Sequence, residues 1–260
     1  MALVATVELN GHPHWASVGK GKDPRLVFLH GGLSSSGSLL RSMGPLLEKE
    51  FTVSAFDRRG HGRTADLERP FHYAEMAEET VAFLEYLGGR SHLLGHSDGG
   101  IVALLTVMAR PDLVDRVVVV GTNYHVDGLA TDEALVFEGP EFAEWALDFA
   151  ELSPDGFEHA RAVADKSLVL VGAEPRLTPD DLERVTRPVL VMMGDDDVID
   201  LHHAVTMYHA LPDAQLCVMP GTSHALLKER SKDAARLIRH FLTEPLPPVT
   251  QQPVRRRSDA

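Results

Sequence analysis

Residues 95–99, with the sequence Gly-His-Ser-Asp-Gly, restrict the fold of this chain more than any other feature. A short apolar run, residues 91–95, leads into them, and a segment rich in Ile, Val, Ala and Leu follows as far as about Ala109. A strand that turns directly into a helix at this spacing places Ser97 in a strained conformation, with its hydroxyl exposed at the end of a sheet. The alternative interpretation is a serine that only caps the helix after a glycine turn.

Short apolar runs alternate with helix-length segments along most of the chain. This alternation predicts an α/β fold, a mostly parallel twisted sheet with helices on both faces. The expected strands are residues 25–30, 52–57, 91–95, 114–121, 187–194 and 215–220, with 4–9 as a candidate edge strand. The expected helices are residues 73–87, 97–109 and 201–211, followed by a closing helix from about 224 to 242.

The strand pattern stops between residues 122 and 187. A structureless loop of this length would be unusual, so the acidic segment is interpreted as a helical insertion with its own small core. Its place between two strands makes it a candidate lid over the carboxyl ends of the sheet. The predicted organisation is a core of residues 1–121 and 188–243, a helical cap insertion of 122–187, and a disordered tail of 244–260.

Ser97 needs a general base to act as a nucleophile, and histidine is the residue that usually supplies it. The chain has 14 histidines. His224 is the candidate base, because it follows the last expected strand at the sheet edge where Ser97 also lies. His202, His203 and His209 are expected on the surface of a helix.

A carboxylate must orient the imidazole of His224. The expected strand 187–194 is followed by three adjacent aspartates, and the chain order serine, aspartate, histidine fits a carboxylate in this loop. Asp197 is predicted to be the third catalytic residue, because it lies a full turn beyond the strand end. Asp196, Asp195 and Asp200 remain alternatives.

The sequence His-Gly-Gly-Leu at residues 30–33 follows the first central strand. Glycines here allow the backbone to curl around a carbonyl oxygen, so the N–H groups of Leu33 and Asp98 are the expected oxyanion-hole donors. The candidate substrate-binding residues are Gly32, Phe137, Trp145 and Phe149. The three aromatic residues lie in the insertion, where they could instead pack it onto the sheet.

Charge and hydropathy narrow the class of partner. The formal net charge of −13 argues against nucleic acid or an anionic membrane surface as a partner. No signal peptide and no apolar run of about 20 residues is visible in the sequence. Cys217 is the single cysteine, so no internal disulfide can form. We expect a cytoplasmic monomer or homodimer that acts on a small molecule.

Five motifs together resemble the α/β-hydrolase superfamily, in its branch of serine hydrolases with a cap domain. They occur in the family's order and fall at residues 30–32, 57–62, 95–100, 194–197 and 221–224. The double glycine and the aspartate after Ser97 resemble the carboxylesterases of the valacyclovir-hydrolase type. Epoxide hydrolases and haloalkane dehalogenases of this fold carry an aspartate where this chain has Ser97, so the resemblance argues against alkyl-enzyme chemistry.

The sequence therefore predicts a serine hydrolase that cleaves a carboxylic ester of a small, partly hydrophobic substrate through an acyl-enzyme. This chemistry requires neither a metal nor an organic cofactor. One alternative is the hydrolysis of an amide, lactone or carbon–carbon bond by the same residues. The other is a non-catalytic protein that binds a small molecule on the same fold.

Overall fold

The computed structural model describes residues 2–21, 24–130, 137–246, 248 and 250–252. Its strands are β1 (Ala2–Leu9), β2 (His12–Gly19), β3 (Arg25–Leu29), β4 (Thr52–Phe56), β5 (Ser91–His96), β6 (Val114–Val120), β7 (Val189–Asp196) and β8 (Ala214–Ser223). Its α-helices are α1 (Ser36–Ser42), α2 (Gly44–Leu47), α3 (Tyr73–Leu87), α4 (Asp98–Ala109), α5 (Gly139–Leu152), α6 (Ala160–Ala173), α7 (Pro179–Leu182), α8 (Leu201–Ala210), α9 (Leu226–Glu229) and α10 (Ser231–Thr243).

The eight strands form one sheet in the order β1-β2-β4-β3-β5-β6-β7-β8. Neighbours from β4 to β8 are parallel, whereas β2 pairs antiparallel with both β1 and β4. The strand order changes direction at β3, which lies between β4 and β5. The loops that leave β3 and β5 therefore meet at a switch point of the sheet, where α/β proteins bind ligands. The predicted α/β fold class is confirmed.

Side chains of the central strands alternate between two apolar layers. Val117 and Val119 of β6 pack with residues of α3, α4 and α8 on one face of the sheet. Val118 and Val120 pack with residues of α1, α9 and α10 on the other. A strand buried on both faces needs apolar residues at every position, and all four valines are fully buried.

The chain between β6 and β7 carries α5, α6 and α7, all of which fall within the predicted insertion. The expectation that this segment has its own core is wrong. Its buried apolar residues, among them Ala146, Val163 and Leu182, belong to the same cluster as the α3 and α4 face of the sheet. The boundaries of a separate cap domain stay a prediction.

Polar contacts also join the insertion to the rest of the molecule. Asp66, in the loop between β4 and α3, accepts hydrogen bonds from Lys166 Nζ at 2.6 Å and from His159 Nε2 at 2.9 Å. Its side chain is 2% exposed. Glu174 at the end of α6 contacts His72 Nδ1 at 2.7 Å and accepts a hydrogen bond from the backbone N–H of Tyr73.

Some elements differ from the predictions. β2 was missed; it forms a hairpin with β1 through Asn10 and Gly11, both in the left-handed region. The closing helix begins later than expected, at α9 and α10, because β8 continues to Ser223. Residues 247, 249 and 253–260 of the predicted tail, including Arg255 to Arg257, lie outside the described residues, as does the segment 131–136. Within the described ranges, no helix has the length and apolar character needed to cross a bilayer.

Candidate active site

Ser97 lies in the sharp turn between β5 and α4. Its backbone has φ 54° and ψ −123°, a conformation that costs a non-glycine residue about 1–3 kcal/mol. The turn is held by a hydrogen bond from Ser97 N to Val120 O at 2.8 Å. A side chain at Gly99 would collide with the Leu29 carbonyl of β3, and one at Gly95 would collide with Gly99. The two glycines therefore allow the strand and helix to approach closely enough to form the turn.

Asp197 and His224 form a hydrogen-bonded pair beyond the ends of β7 and β8. Asp197 Oδ1 lies 2.7 Å from His224 Nδ1, and the aspartate side chain is fully buried. Burial alone would raise the pKa of Asp197. The hydrogen bond and charge of His224 and the backbone N–H groups of Ile199 and Gly194 outweigh it, so the pKa falls below its usual range. An ionised Asp197 holds the proton on Nδ1 and leaves Nε2 of His224 as the basic nitrogen.

The other carboxylates considered from the sequence are engaged elsewhere or exposed. Asp195 accepts a hydrogen bond from Thr222 N at 3.1 Å, which joins the ends of β7 and β8. Asp200 caps α8 by accepting from His203 N at 2.9 Å. Asp196 is exposed. The structure thus brings Asp197, rather than these three, to His224.

Gly121 lies against the His224–Asp197 pair. Its φ is +56°, and a Cβ added there would lie 2.8 Å from His224 Nδ1 and 3.2 Å from Asp197 Oδ2. The backbone after β6 therefore forms one wall of the pair. Any side chain at this position would both strain the backbone and displace the imidazole.

His96 packs against His224 from the β5 side. The two ring centroids are 4.8 Å apart, and His96 Nε2 lies 2.9 Å from the His224 carbonyl oxygen, to which it donates. Burial lowers the pKa of His96 to about 4, with a further contribution from the charge of His224. His96 is therefore neutral at pH 7 and fixes the backbone of His224 without competing for its proton.

Leu33, the predicted oxyanion donor after β3, also has a left-handed backbone, with φ 49°. Within the described ranges its N–H donates to no protein acceptor. Its carbonyl oxygen accepts a hydrogen bond of 2.7 Å from Trp145 Nε1 of α5. The second predicted donor, the N–H of Asp98, belongs to the first residue of α4, where no preceding helical carbonyl can accept it.

A buried arginine, for which no role was predicted, supports this loop. Arg58 is fully buried; its guanidinium donates to the carbonyl oxygens of His30 and Gly31, and its backbone N–H donates to His30 Nε2. Burial holds the pKa of His30 well below its usual range. The carboxylate of Asp98 offsets part of the buried charge of Arg58 and accepts a hydrogen bond from Tyr73 Oη at 2.9 Å. The motif at residues 57–62 was the available signal.

Two adjoining cavities lie at the candidate site, and one of them is lined by Ser97. The inner chamber, of about 380 Å³, is lined by Ser97, His224, the residues 31–34, and side chains that include Leu39 and Leu227. The outer chamber, of about 220 Å³, is lined by Trp145, Phe149 and Leu152 of α5 among others. Ser97 and His224 line the same chamber, but no hydrogen bond joins their side chains in the described part of the chain. Proton transfer therefore requires a closer approach of Ser97 Oγ.

The structure separates the candidate substrate-binding residues. Gly32 lines the inner chamber, and Trp145 and Phe149 line the outer one. Phe137 lines neither, because its ring packs against Phe142 and Trp145 at centroid distances of 5.9 and 5.5 Å. Its predicted contact with substrate is therefore not supported.

His203, expected on the surface, is partly buried. Its ring stacks on Tyr124 at 3.9 Å and its Nε2 accepts the Tyr124 N–H, because α8 packs against the start of the insertion. His202 and His209 are exposed, as expected.

A family model described as the alpha/beta hydrolase family matches residues 26–237. The chain belongs to the alpha/beta hydrolase family. RutD of Caulobacter sp. (strain K31), a candidate carbamate hydrolase, is 29% identical over 240 residues, which cover 83% of this chain and 90% of RutD. The human serine hydrolase BPHL is 28% identical over 258 residues, covering 92% and 86% of the two chains.

Solved structures of the family have the same fold. The enol-lactonase from Burkholderia xenovorans LB400 superposes with a TM-score of 0.75 at 18% identity, over 92% of this chain and all of that one. The predicted resemblance to the superfamily is confirmed, and the chain is a hydrolase of the alpha/beta family.

Proposed function

We propose that this hydrolase cleaves a carboxylic ester of a small, partly hydrophobic molecule through an acyl-enzyme on Ser97. The observation that carries the proposal is the 2.7 Å contact between His224 and a buried, ionised Asp197, with Ser97 in the same chamber. This arrangement supplies an oriented base beside a serine hydroxyl exposed by its strained turn.

The first half of the reaction forms the acyl-enzyme. Ser97 Oγ bonds to the ester carbonyl carbon while His224 Nε2 takes the hydroxyl proton, and Asp197 stabilises the resulting imidazolium. The N–H groups of Leu33 and Asp98 bind the oxyanion, each contributing about 3 kcal/mol to the transition state. The tetrahedral intermediate then expels the alcohol, which receives the proton from His224.

The second half releases the acid. Water adds to the acyl carbonyl carbon as His224 Nε2 accepts its proton. The bond to Ser97 Oγ then breaks, and the proton returns from His224 to the serine. Every proton moves between Ser97, His224, water and the substrate.

The chambers support a substrate of mixed polarity. Leu33, Leu39 and Leu227 provide apolar walls close to Ser97, and the polar part of the lining includes serine hydroxyls, two imidazoles and one lysine. The two volumes suit short rather than long acyl chains.

Steady-state hydrolysis of p-nitrophenyl esters from C2 to C12, with Ser97→Ala as the control, tests the proposal. We expect many turnovers by the wild type, an optimum among the short chains, and loss of activity in the variant. Retention of most activity by Ser97→Ala would refute the mechanism. Amide, lactone, carbamate and diketone substrates extend the panel to other bonds. Product limited to one equivalent of enzyme would favour a binding protein.

A further inference from the structure

Two cationic side chains face the chambers beside Ser97. Lys228, on α9, lines both the inner and the outer chamber, and Arg41, at the end of α1, lines the outer one. Both are exposed, and neither forms an ion pair with a carboxylate in the part of the chain that the structure describes.

The acidic groups nearby do not neutralise this pair. Glu229, the neighbour of Lys228, lines neither chamber, and its carboxylate accepts hydrogen bonds of 2.8 Å from the backbone N–H and the hydroxyl of Ser223. Asp148 of α5 also lines the outer chamber, but its carboxylate forms no ion pair with either cation among the described residues. A chain of net charge −13 thus has two cations and one carboxylate at its candidate substrate site.

Hydroxyl groups line the same region. Ser34 and Ser38 belong to both chambers, together with Leu33 and Lys228. Within the described ranges, no protein acceptor engages the side-chain hydroxyl of either serine. A carboxylate can accept hydrogen bonds from such hydroxyls as well as from ammonium and guanidinium groups.

We propose that the substrate carries a carboxylate, bound by Lys228 and Arg41 with the hydroxyls of Ser34 and Ser38, while its ester carbonyl lies at Ser97. This inference rests on the proposed function and names its substrate class: half-esters of short dicarboxylic acids. The apolar walls of the inner chamber contact the methylene groups between the two ends of the molecule.

Two substrates that differ in one terminal group test the inference. The mono-p-nitrophenyl ester of adipic acid and p-nitrophenyl hexanoate share the leaving group and the number of acyl carbons, but only the first ends in a carboxylate. For the wild type, we expect kcat/KM to be about tenfold higher for the adipate ester, as a charge-assisted contact would give. Added salt lowers this ratio by screening the exposed cations.

The variants Lys228→Met and Arg41→Met each lower the ratio severalfold, mainly through the KM of the adipate ester. Lys232→Met is the matched control: Lys232 is exposed on α10 and lines neither chamber, so its loss removes the same charge and leaves the ratio unchanged. A wild-type ratio near one, with both esters cleaved in a Ser97-dependent way, overturns this inference and leaves the proposed function standing. A ratio unaffected by both chamber variants also overturns it. Failure to cleave either ester overturns the proposed function itself.

Discussion

The hydrogen bond between Trp145 Nε1 and the Leu33 carbonyl links the insertion to the predicted oxyanion hole. Trp145→Phe keeps an aromatic ring in the outer chamber and removes the donor together with part of the indole surface. The lost bond contributes about 1 kcal/mol, and the left-handed conformation of Leu33 costs a similar amount, about 1–2 kcal/mol. Without the bond, the Leu33–Ser34 peptide can relax, and the neighbouring Gly32–Leu33 peptide with its N–H then moves with it.

We expect kcat for p-nitrophenyl butyrate to fall about five- to tenfold, the factor that corresponds to about 1–1.4 kcal/mol. Complete loss of an oxyanion donor would cost about 10²–10³ in kcat, which sets the upper limit. KM should change less than kcat, because the donor acts on the charge that develops in the transition state.

The affinity for a trifluoromethyl ketone inhibitor measures the predicted oxyanion hole directly, because the ketone adds to Ser97 and places an oxyanion in that hole. Its affinity should weaken by the same factor as kcat in Trp145→Phe. Phe142→Leu is the matched control, because Phe142 packs on Trp145 with ring centroids 6.1 Å apart and makes no hydrogen bond to the Leu33 loop. If Trp145→Phe raised only KM and bound the ketone as the wild type does, the indole would be a packing group and the reasoning would be refuted.

Three further changes test other parts of the structure. Gly121→Ala should lower kcat by about 10²-fold or more by displacing His224. The control Gly88→Ala should retain activity, because Gly88 also has a positive φ of +70° but no atom lies within 4 Å of the added Cβ. Equal kcat values for the two variants would contradict this reasoning. Asp66→Asn removes the buried carboxylate that pairs with Lys166 of α6, so it should lower the free energy of unfolding in urea by about 2–4 kcal/mol. Hydrogen exchange should become faster in α6 first, and unchanged exchange there would contradict the proposed link between Asp66 and this helix. Burial lowers the pKa of His92 from 6.5 to about 4. Between those pH values the unfolded chain binds a proton that the folded chain does not, so the free energy of unfolding falls as the solution is acidified. His92→Phe should reduce that fall by about 2–3 kcal/mol, and an unaltered pH dependence of the urea midpoint would contradict this.

Elements with a strong local pattern were predictable from the sequence. α3 occupies the predicted residues because its apolar side chains recur at the helical period, and β6 is recognised by four consecutive valines. Strand β2 was missed because its first half, His12 to His14, contains two histidines and a proline rather than apolar residues.

The chemistry of the site was predictable only where one short segment carries it. Ser97, Asp197 and His224 each follow a strand, so their meeting at one sheet edge follows from the fold class. The Trp145–Leu33 hydrogen bond joins residues 112 positions apart, so no local sequence pattern predicts it. Arg58 lies in the recognisable motif at residues 57–62, but its role could not be read from that motif alone, because it depends on the carbonyl groups of a different loop.

The two predicted oxyanion donors are held by different parts of the fold. The Asp98 N–H is fixed by the start of α4 and is present whenever the sheet is folded. The carbonyl of Leu33 accepts a hydrogen bond from α5, a helix of the insertion, and we expect this bond to help position the Leu33 N–H. We therefore expect exchange of this insertion for that of a relative to alter the rate of the chemical step together with the choice of substrate.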